Sequence, residues 1–92
     1  MFSAEQLSGI DGKYFNIICA DGLDVTIQSR NTGHWWYLHC TDYPIEENCV
    51  IFHKYKVSHS YHLHGKAGSL SQAIKSIKKH DIKMLTSRNL AP

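Results

Sequence analysis

The sequence predicts an α+β fold in which an antiparallel sheet of about four strands is covered by one C-terminal amphipathic helix, with a short N-terminal helix. Three observations predict it: alternating residues over 13–40, a long extended segment over 50–64, and helical periodicity from residue 70. A sheet with one apolar side needs a cover, and the helix offers a matching stripe. We treat residues 1–92 as a single domain because this length supports one core.

The N-terminus predicts a short helix. Ser3 and Gln6 have the spacing of a capping box, which indicates a helix over 4–8 that ends at Gly9. A helix this short needs support from the rest of the fold.

The next segment predicts a three-stranded meander. Residues 14–19 are aromatic and β-branched, and 23–28 alternate between apolar and polar side chains. The Asp21-Gly22 pair between them predicts a hairpin turn, and Asn31-Thr32-Gly33 predicts a second turn that leads into the strand HWWYLHC.

Trp35 and Trp36 are adjacent in this third strand and therefore face opposite sides of the sheet. Only one of them can enter the core beneath the helix. The other is either covered by a second layer or serves as a stacking or protein-contact residue, and the sequence leaves both open.

An acidic loop over 41–48 follows, where Pro44 cannot donate to a ladder and Glu46 and Glu47 are adjacent. The long segment then alternates: its odd positions are expected to pack (Ile51, Tyr55, Val57, Tyr61, Leu63), and its even positions are expected to face solvent or a polyanion (Lys54, Lys56, Ser58, Ser60, His62, His64). It is longer than a usual strand, so we expect one bent strand or two strands divided near 58–60.

The C-terminal helix is expected over 70–80. Ser69 and Gln72 form a capping-box pattern, and an apolar stripe follows at helical spacing: Leu70, Ala73, Ile74 and Ile77. The opposite side carries Lys75, Lys78 and Lys79. Beyond it, Ile82, Met84 and Leu85 are expected to dock on the core, and 86–92 are expected to form a loose tail.

The charge of the chain is strongly polarised. The net charge is +2, but residues 1–47 hold two basic and seven acidic residues, whereas 48–92 hold eight basic residues and one acidic residue. Such asymmetry suits a partner that offers phosphate or acidic protein. The basic residues of the second half are interleaved with tyrosine and histidine, as in a surface that follows phosphates. The predicted interface comprises Lys54, Lys56, Lys66, Lys75, Lys78 and Lys79, with Arg30, Trp35, Trp36, Glu46 and Glu47.

Seven histidines raise the question of a metal site. His62 and His64 are two residues apart on a predicted strand, so both could offer imidazole to Zn²⁺. No acidic residue or cysteine lies near in sequence to complete the site, and an exposed polar strand accounts for both. We therefore expect no metal and no other cofactor.

Catalysis is not indicated by any residue pattern. Cys19, Cys40 and Cys49 have no metal or disulfide spacing, and reduced, packed thiols are expected. The adjacent carboxylates of Glu46 and Glu47 are typical of solvated surface. We expect a protein that is not an enzyme and has no small-molecule substrate. Its N-terminus lacks a positive start and an apolar run, so we expect a cytoplasmic protein without a membrane partner.

Over its full length, from MFSAEQLSGIDGKYFNIICADG through NTGHWWYLHC to SLSQAIKSIKKHDIKML, the chain resembles a phage anti-CRISPR protein of the type I-F inhibitors. The resemblance implies a non-enzymatic protein that binds the RNA-guided surveillance complex in the cytoplasm of a host bacterium and prevents target DNA recognition. Direct contact with guide RNA is left open. The alternatives are a small nucleic-acid-binding regulatory protein and, more remotely, a small metalloenzyme.

Overall fold

The computed structural model describes residues 1–43 and 45–90, with side chains as far as residue 87. Two helices and five strands follow in chain order: α1 (Ala4–Ser8), β1 (Phe15–Ala20), β2 (Asp24–Ser29), β3 (Trp35–Cys40), β4 (Cys49–Lys54), β5 (His62–Ala67) and α2 (Leu70–Leu90). A 3₁₀ turn, Ile45–Glu47, lies between β3 and β4. Pro44, in the predicted loop, lies outside the described residues.

The five strands form one antiparallel sheet in the order β1-β2-β3-β4-β5. The predicted α+β class with a covering helix is confirmed, and so is the meander over 13–40. The count of about four strands is one too low because the long extended segment forms both β4 and β5. The chain reverses between Lys54 and His62, where the His59 N–H donates to the Lys56 carbonyl over 3.0 Å.

This reversal changes which residues of β5 face the core. Phe52 pairs with Leu63 and His53 pairs with His62, and a bulge follows in the register. His53 is buried, so His62 shares its side of the sheet, and Leu63 lies on the other side, 58% exposed. The predicted packing of odd positions therefore holds for Ile51 but is wrong for Leu63, and it is also wrong for Tyr55 and Val57, which are exposed in the connection between the strands. The strand period does not continue through a turn.

The side of the sheet that α2 covers is called the inner face, and the other is called the outer face. Strands β2, β3 and β4 alternate strictly, and their inner residues are buried: Val25, Ile27, Ser29, Trp36, Leu38, Cys40, Cys49, Ile51 and His53. Leu70, Ala73 and Ile77 of α2 are at most 2% exposed and belong to the same core. The predicted helix stripe is thus confirmed at these positions.

Helix α2 is longer than predicted. The Ser69 hydroxyl accepts from the Gln72 N–H at 3.1 Å, while the Gln72 side chain accepts from the Gly68 N–H at 3.0 Å. The helix then continues to Leu90, so the loose tail expected over 86–92 is wrong as far as residue 90. Neither glycine nor proline occurs over 69–90, and the half-buried Met84 and Leu85 extend the packed side. Ile82, which was also expected to dock on the core, is 64% exposed.

The N-terminal segment packs on the inner side. Ser3 and Gln6 form the predicted capping box, with contacts of 2.7 and 3.1 Å. Phe2 and Ile10 on either side of α1 are buried in the core. The Phe2 N–H donates to the carbonyl of Gly22 at 2.7 Å, so this segment is joined to the β1–β2 turn.

Candidate functional site

The predicted basic residues do not form one surface. Lys54 pairs with Trp35, and Lys66 pairs with Val50, so both lysines lie on the outer face. Lys75 and Lys79 are exposed on α2, which lies against the inner face. The sheet therefore separates the two groups, which sequence periodicity alone could not reveal because it assigns a face only within each element.

The remaining predicted cations have different surroundings. Lys56 is exposed in the β4–β5 connection, and Arg30 is exposed beside the β2–β3 turn, where its Nε donates to the Gly12 carbonyl at 3.3 Å. Lys78 is half-buried, with its Nζ 4.8 Å from the centre of the Tyr14 ring. We expected a free solvent-facing side chain at Lys78, and this contact corrects that expectation.

The structure assigns the two tryptophans to different sides. Trp36 is 0% exposed, and its indole N–H donates to the Ser29 hydroxyl at 3.0 Å, so its predicted place in the interface is wrong. Trp35 is partly exposed on the outer face. Glu46 and Glu47 are exposed in the 3₁₀ turn at the opposite end of the sheet from Trp35.

Four partly exposed aromatic rings line the outer face. The rings of Tyr37 and Phe52 stack with centres 5.6 Å apart, and the ring of Tyr61 lies 6.0 Å from Tyr37. Trp35 is two residues before Tyr37 and shares its side of β3. In the part of the chain that the structure describes, both helices pack on the inner side, so no helix covers these rings. We call Trp35, Tyr37, Phe52 and Tyr61 the outer aromatic face.

Lys54 is fixed within this face. Its Nζ lies 4.5 Å from the centre of the Tyr61 ring and 5.8 Å from that of Trp35, and it donates to the Val57 carbonyl at 3.1 Å. Cation–π contacts of this kind hold a charge beside aromatic surface. The side chain therefore places a positive group at the edge of the aromatic rings.

A hydrogen-bonded network of polar side chains links β2 to β3 on the outer face. The Asp24 carboxylate accepts from the Tyr37 hydroxyl and lies 2.8 Å from His39 Nδ1. These hydrogen bonds, first from Tyr37 and then from His39, lower the pKa of Asp24. The same bond to Asp24, with burial second, raises the pKa of Tyr37 to about 12. The Tyr37 ring is thereby held in one orientation.

A second cluster lies between the sheet and α2. His53 Nε2 is 3.1 Å from His34 Nδ1, and His53 Nδ1 is 3.3 Å from His62 Nε2. The rings of His64 and His80 lie 6.0 and 4.9 Å from that of His53. We call these five residues the histidine cluster. His34 and His53 are only 3% and 1% exposed.

The histidine cluster is neutral at its centre. Burial, followed by the neighbouring histidines, lowers the pKa of His53 to about 3. Burial is also the main cause that lowers the pKa of His64 and His80. Neutral imidazoles keep a lone pair, so these rings can act as metal ligands.

Sequence reasoning identified only His62 and His64 of this cluster and expected both to face solvent. His62 pairs with the buried His53 and so lies on the inner side, but it is exposed to solvent as expected. The His64 ring is partly buried against Trp36, which corrects the expectation for His64. Signals for the other three were present. His34 is two residues before the buried Trp36, His53 two after Ile51, and His80 three after Ile77.

The thiols have two environments. Cys40 and Cys49 are buried and directly paired across β3 and β4. Burial, with Cys40 as a second cause, raises the pKa of Cys49 to about 12, so this thiol stays protonated. Cys19 is exposed at the edge strand β1, which corrects its expected burial.

Within the described residues, no helix has the length and apolarity needed to cross a bilayer. Comparison of the chain with protein-family models, curated proteins and solved structures finds no match.

Proposed function

We propose that this protein is a non-enzymatic inhibitor that binds a type I-F CRISPR surveillance complex and blocks recognition of target DNA, and that it binds through the outer aromatic face. The resemblance of the sequence to the type I-F inhibitors supplies the partner. The observation that carries the proposal is the sheet surface itself, where four partly exposed aromatic rings lie together and the ammonium of Lys54 contacts two of them, Trp35 and Tyr61.

This surface has the composition of a binding site. Aromatic side chains are enriched at the energetic centres of protein interfaces, and they also stack on unpaired bases. Lys54 and Lys66 add two positive groups on the same face, and Lys56 lies in the connection that follows β4. A guide RNA held on a basic protein filament offers both bases and phosphates to such a face.

The outer aromatic face is also rigid before binding. Asp24 fixes Tyr37, and Lys54 packs between Tyr61 and Trp35. A surface whose side chains are already ordered loses less conformational entropy on association. The exposed Glu46 and Glu47 are proposed as a second, polar contact for basic residues of the complex.

The test is retention of the protein on an immobilised, purified type I-F surveillance complex. The double variant Trp35→Ala/Tyr61→Ala should bind roughly 30-fold more weakly, equivalent to losing one aromatic hot spot of about 2 kcal/mol. Tyr43→Ala is the matched control because Tyr43 is an aromatic residue 85% exposed outside the face. Equal retention of the double variant and the wild type, both folded by circular dichroism, would refute this interface.

The same stacked rings also support a second candidate function, that of a regulatory protein that binds nucleic acid directly. The isolated protein is titrated with a fluorescent single-stranded RNA that lacks any protein partner. The regulator is favoured if the wild type binds this RNA saturably, if Trp35→Ala abolishes that binding, and if the wild type is not retained on the surveillance complex. Retention on the complex after nuclease treatment favours a protein contact.

A further inference from the structure

Three histidines from separate parts of the chain meet beneath the sheet. His34 precedes β3, His53 lies in β4, and His80 lies in α2. One ring nitrogen of each lies within 4.8 Å of the other two. We propose that His34, His53 and His80 form a binding site for a divalent transition-metal ion, with Zn²⁺ as the preferred ion. This proposal replaces the expectation that no metal binds, and it is independent of the proposed inhibitory function.

The distances suit a tetrahedral ion. Imidazole nitrogens bind Zn²⁺ at about 2.0 Å, so two ligands of one tetrahedron lie about 3.3 Å apart. His53 Nε2 and His34 Nδ1 are 3.1 Å apart, close to this value. The widest separation in the set must close by about 1.5 Å, which rotation of an imidazole ring about its side-chain torsions can supply.

The second observation concerns His80. Its Nε2 atom is buried and has no hydrogen-bond partner in the described part of the chain. A buried polar nitrogen without a partner is costly, because it has lost its water without replacement. A metal ion bound beside His34 and His53 would give this nitrogen its partner.

The outer hydrogen bond of His53 fits the same arrangement. A neutral imidazole carries a single N–H, and a metal ion on Nε2 requires that proton to be on Nδ1. His53 Nδ1 faces His62 Nε2 at 3.3 Å, so the Nδ1–H can donate to that nitrogen. Ligand histidines usually make such a bond with their second nitrogen, which fixes ring orientation.

The ligand type selects the ion. A ligand set of three imidazoles, without a carboxylate or thiolate, favours Zn²⁺, Cu²⁺ or Ni²⁺ over Mg²⁺ or Ca²⁺. The fourth position falls to His64, whose ring centre is 5.2 Å from that of His80, or to water. A surface depression lined by Thr32, His34, Tyr55 and Met84 reaches one of the three ligands, His34.

The test uses tag-free, full-length protein dialysed against a chelator and then titrated with Zn²⁺ alone. We expect one ion per chain and a higher melting temperature in the presence of Zn²⁺. When Co²⁺ replaces Zn²⁺, we expect the strong visible absorption that is typical of tetrahedral Co²⁺. His80→Ala should weaken binding by at least about 100-fold, and His62→Ala, which removes only the outer hydrogen bond, by about 10-fold.

His59→Ala is the matched control because His59 is exposed in the β4–β5 connection. It should bind Zn²⁺ like the wild type. If His80→Ala does not fold, His34→Gln provides the same measurement. The proposal is overturned if the wild type binds no Zn²⁺, or if folded His80→Ala or His34→Gln binds with unchanged affinity. Loss of binding in a folded ligand variant, with His59→Ala unchanged, supports it.

Discussion

Asp81 shows how one residue joins distant parts of this fold. Its carboxylate is fully buried and accepts from the Tyr14 hydroxyl at 2.7 Å and from the Thr32 hydroxyl at 3.0 Å. Tyr14 precedes β1, Thr32 lies in the β2–β3 turn, and Asp81 lies in α2. Both oxygens are thus used to attach the helix to the sheet.

Replacing Asp81 by Ala should lower the free energy of unfolding by about 3 kcal/mol, because two hydrogen bonds to a buried carboxylate are lost and the Tyr14 and Thr32 hydroxyls lose the acceptor for their protons. Urea denaturation measures the loss. The exposed Asp11 provides the control substitution, Asp11→Ala. A loss no larger than that of the control would mean that the buried carboxylate does not hold the helix.

Tyr14 should make stability depend on alkaline pH. Burial, and next the hydrogen bond to Asp81, raises its pKa from 10 to about 12. The folded protein therefore keeps this proton between pH 10 and 12, while the unfolded chain loses it. The contribution to stability is complete below pH 10 and is lost as pH rises to 12.

Tyr14→Phe should show a shallower fall in stability over this range, because at most one fewer proton is released on unfolding, although Tyr37 and Cys49 keep part of the slope. Denaturation at several pH values between 9 and 12 provides the measurement. A slope equal to that of the wild type would show that the Tyr14 hydroxyl loses its proton equally in both states.

At the scale of the element, α2 is held by a stripe of small and large apolar residues. Leu70, Ala73 and Ile77 are buried, whereas Ile74 is only partly buried. Ala73 lets the helix approach the sheet, and the two larger side chains fill the space on either side. The energetic importance of the stripe is therefore centred on Ile77 and Leu70.

Ile77→Ala should lower the free energy of unfolding by about 2–5 kcal/mol, because it leaves a cavity in a packed core. Lys79→Ala, two residues along the same helix, should change it by no more than about 0.5 kcal/mol because Lys79 is exposed. Thermal melts of both variants provide the comparison. Similar losses would mean that the helix does not pack through Ile77.

At the scale of the whole molecule, the positive charge of the C-terminal half lies on two opposite sides. Lys54 and Lys66 share the outer face with the aromatic rings, and Lys75 and Lys79 lie on the helix. The sheet between them prevents a flat partner surface from contacting both pairs. The two pairs can therefore be tested separately.

If guide RNA phosphate is the partner, Lys54→Glu/Lys66→Glu should weaken binding to the surveillance complex and reduce its salt dependence, because each lost phosphate contact removes counterion release. Lys75→Glu/Lys79→Glu should leave both unchanged. Affinity is measured between 50 and 200 mM salt, about the range in which such contacts are sensitive. The opposite result would assign the interface to the helix side.

Local signals predicted the parts of this fold that depend on near neighbours. These features each rest on residues within one turn or one strand: the capping box at Ser3, the N-cap bond of Ser69, the two meander turns and the apolar stripe of α2. At Ser69 only half of the predicted box forms, because the Gln72 side chain accepts from Gly68 instead. The adjacent tryptophans likewise required that only one of the two rings enters the core beneath the helix. Near neighbours fix backbone geometry and alternation, so a single sequence is sufficient for these features.

Tertiary structure decided which faces share a side of the sheet. The reversal at 55–61 inverted β5 and placed His62 and His64 on its inner side, while the packing of α2 on the inner face separated Lys54 from Lys75. The pairing of β3 with β4 and the packing of α2 brought His34, His53 and His80 together across 46 positions of the chain. Periodicity assigns a side only relative to its own element. The candidate interface and the candidate metal site depend on how strands and helix are placed against one another, which burial of the shared core determines.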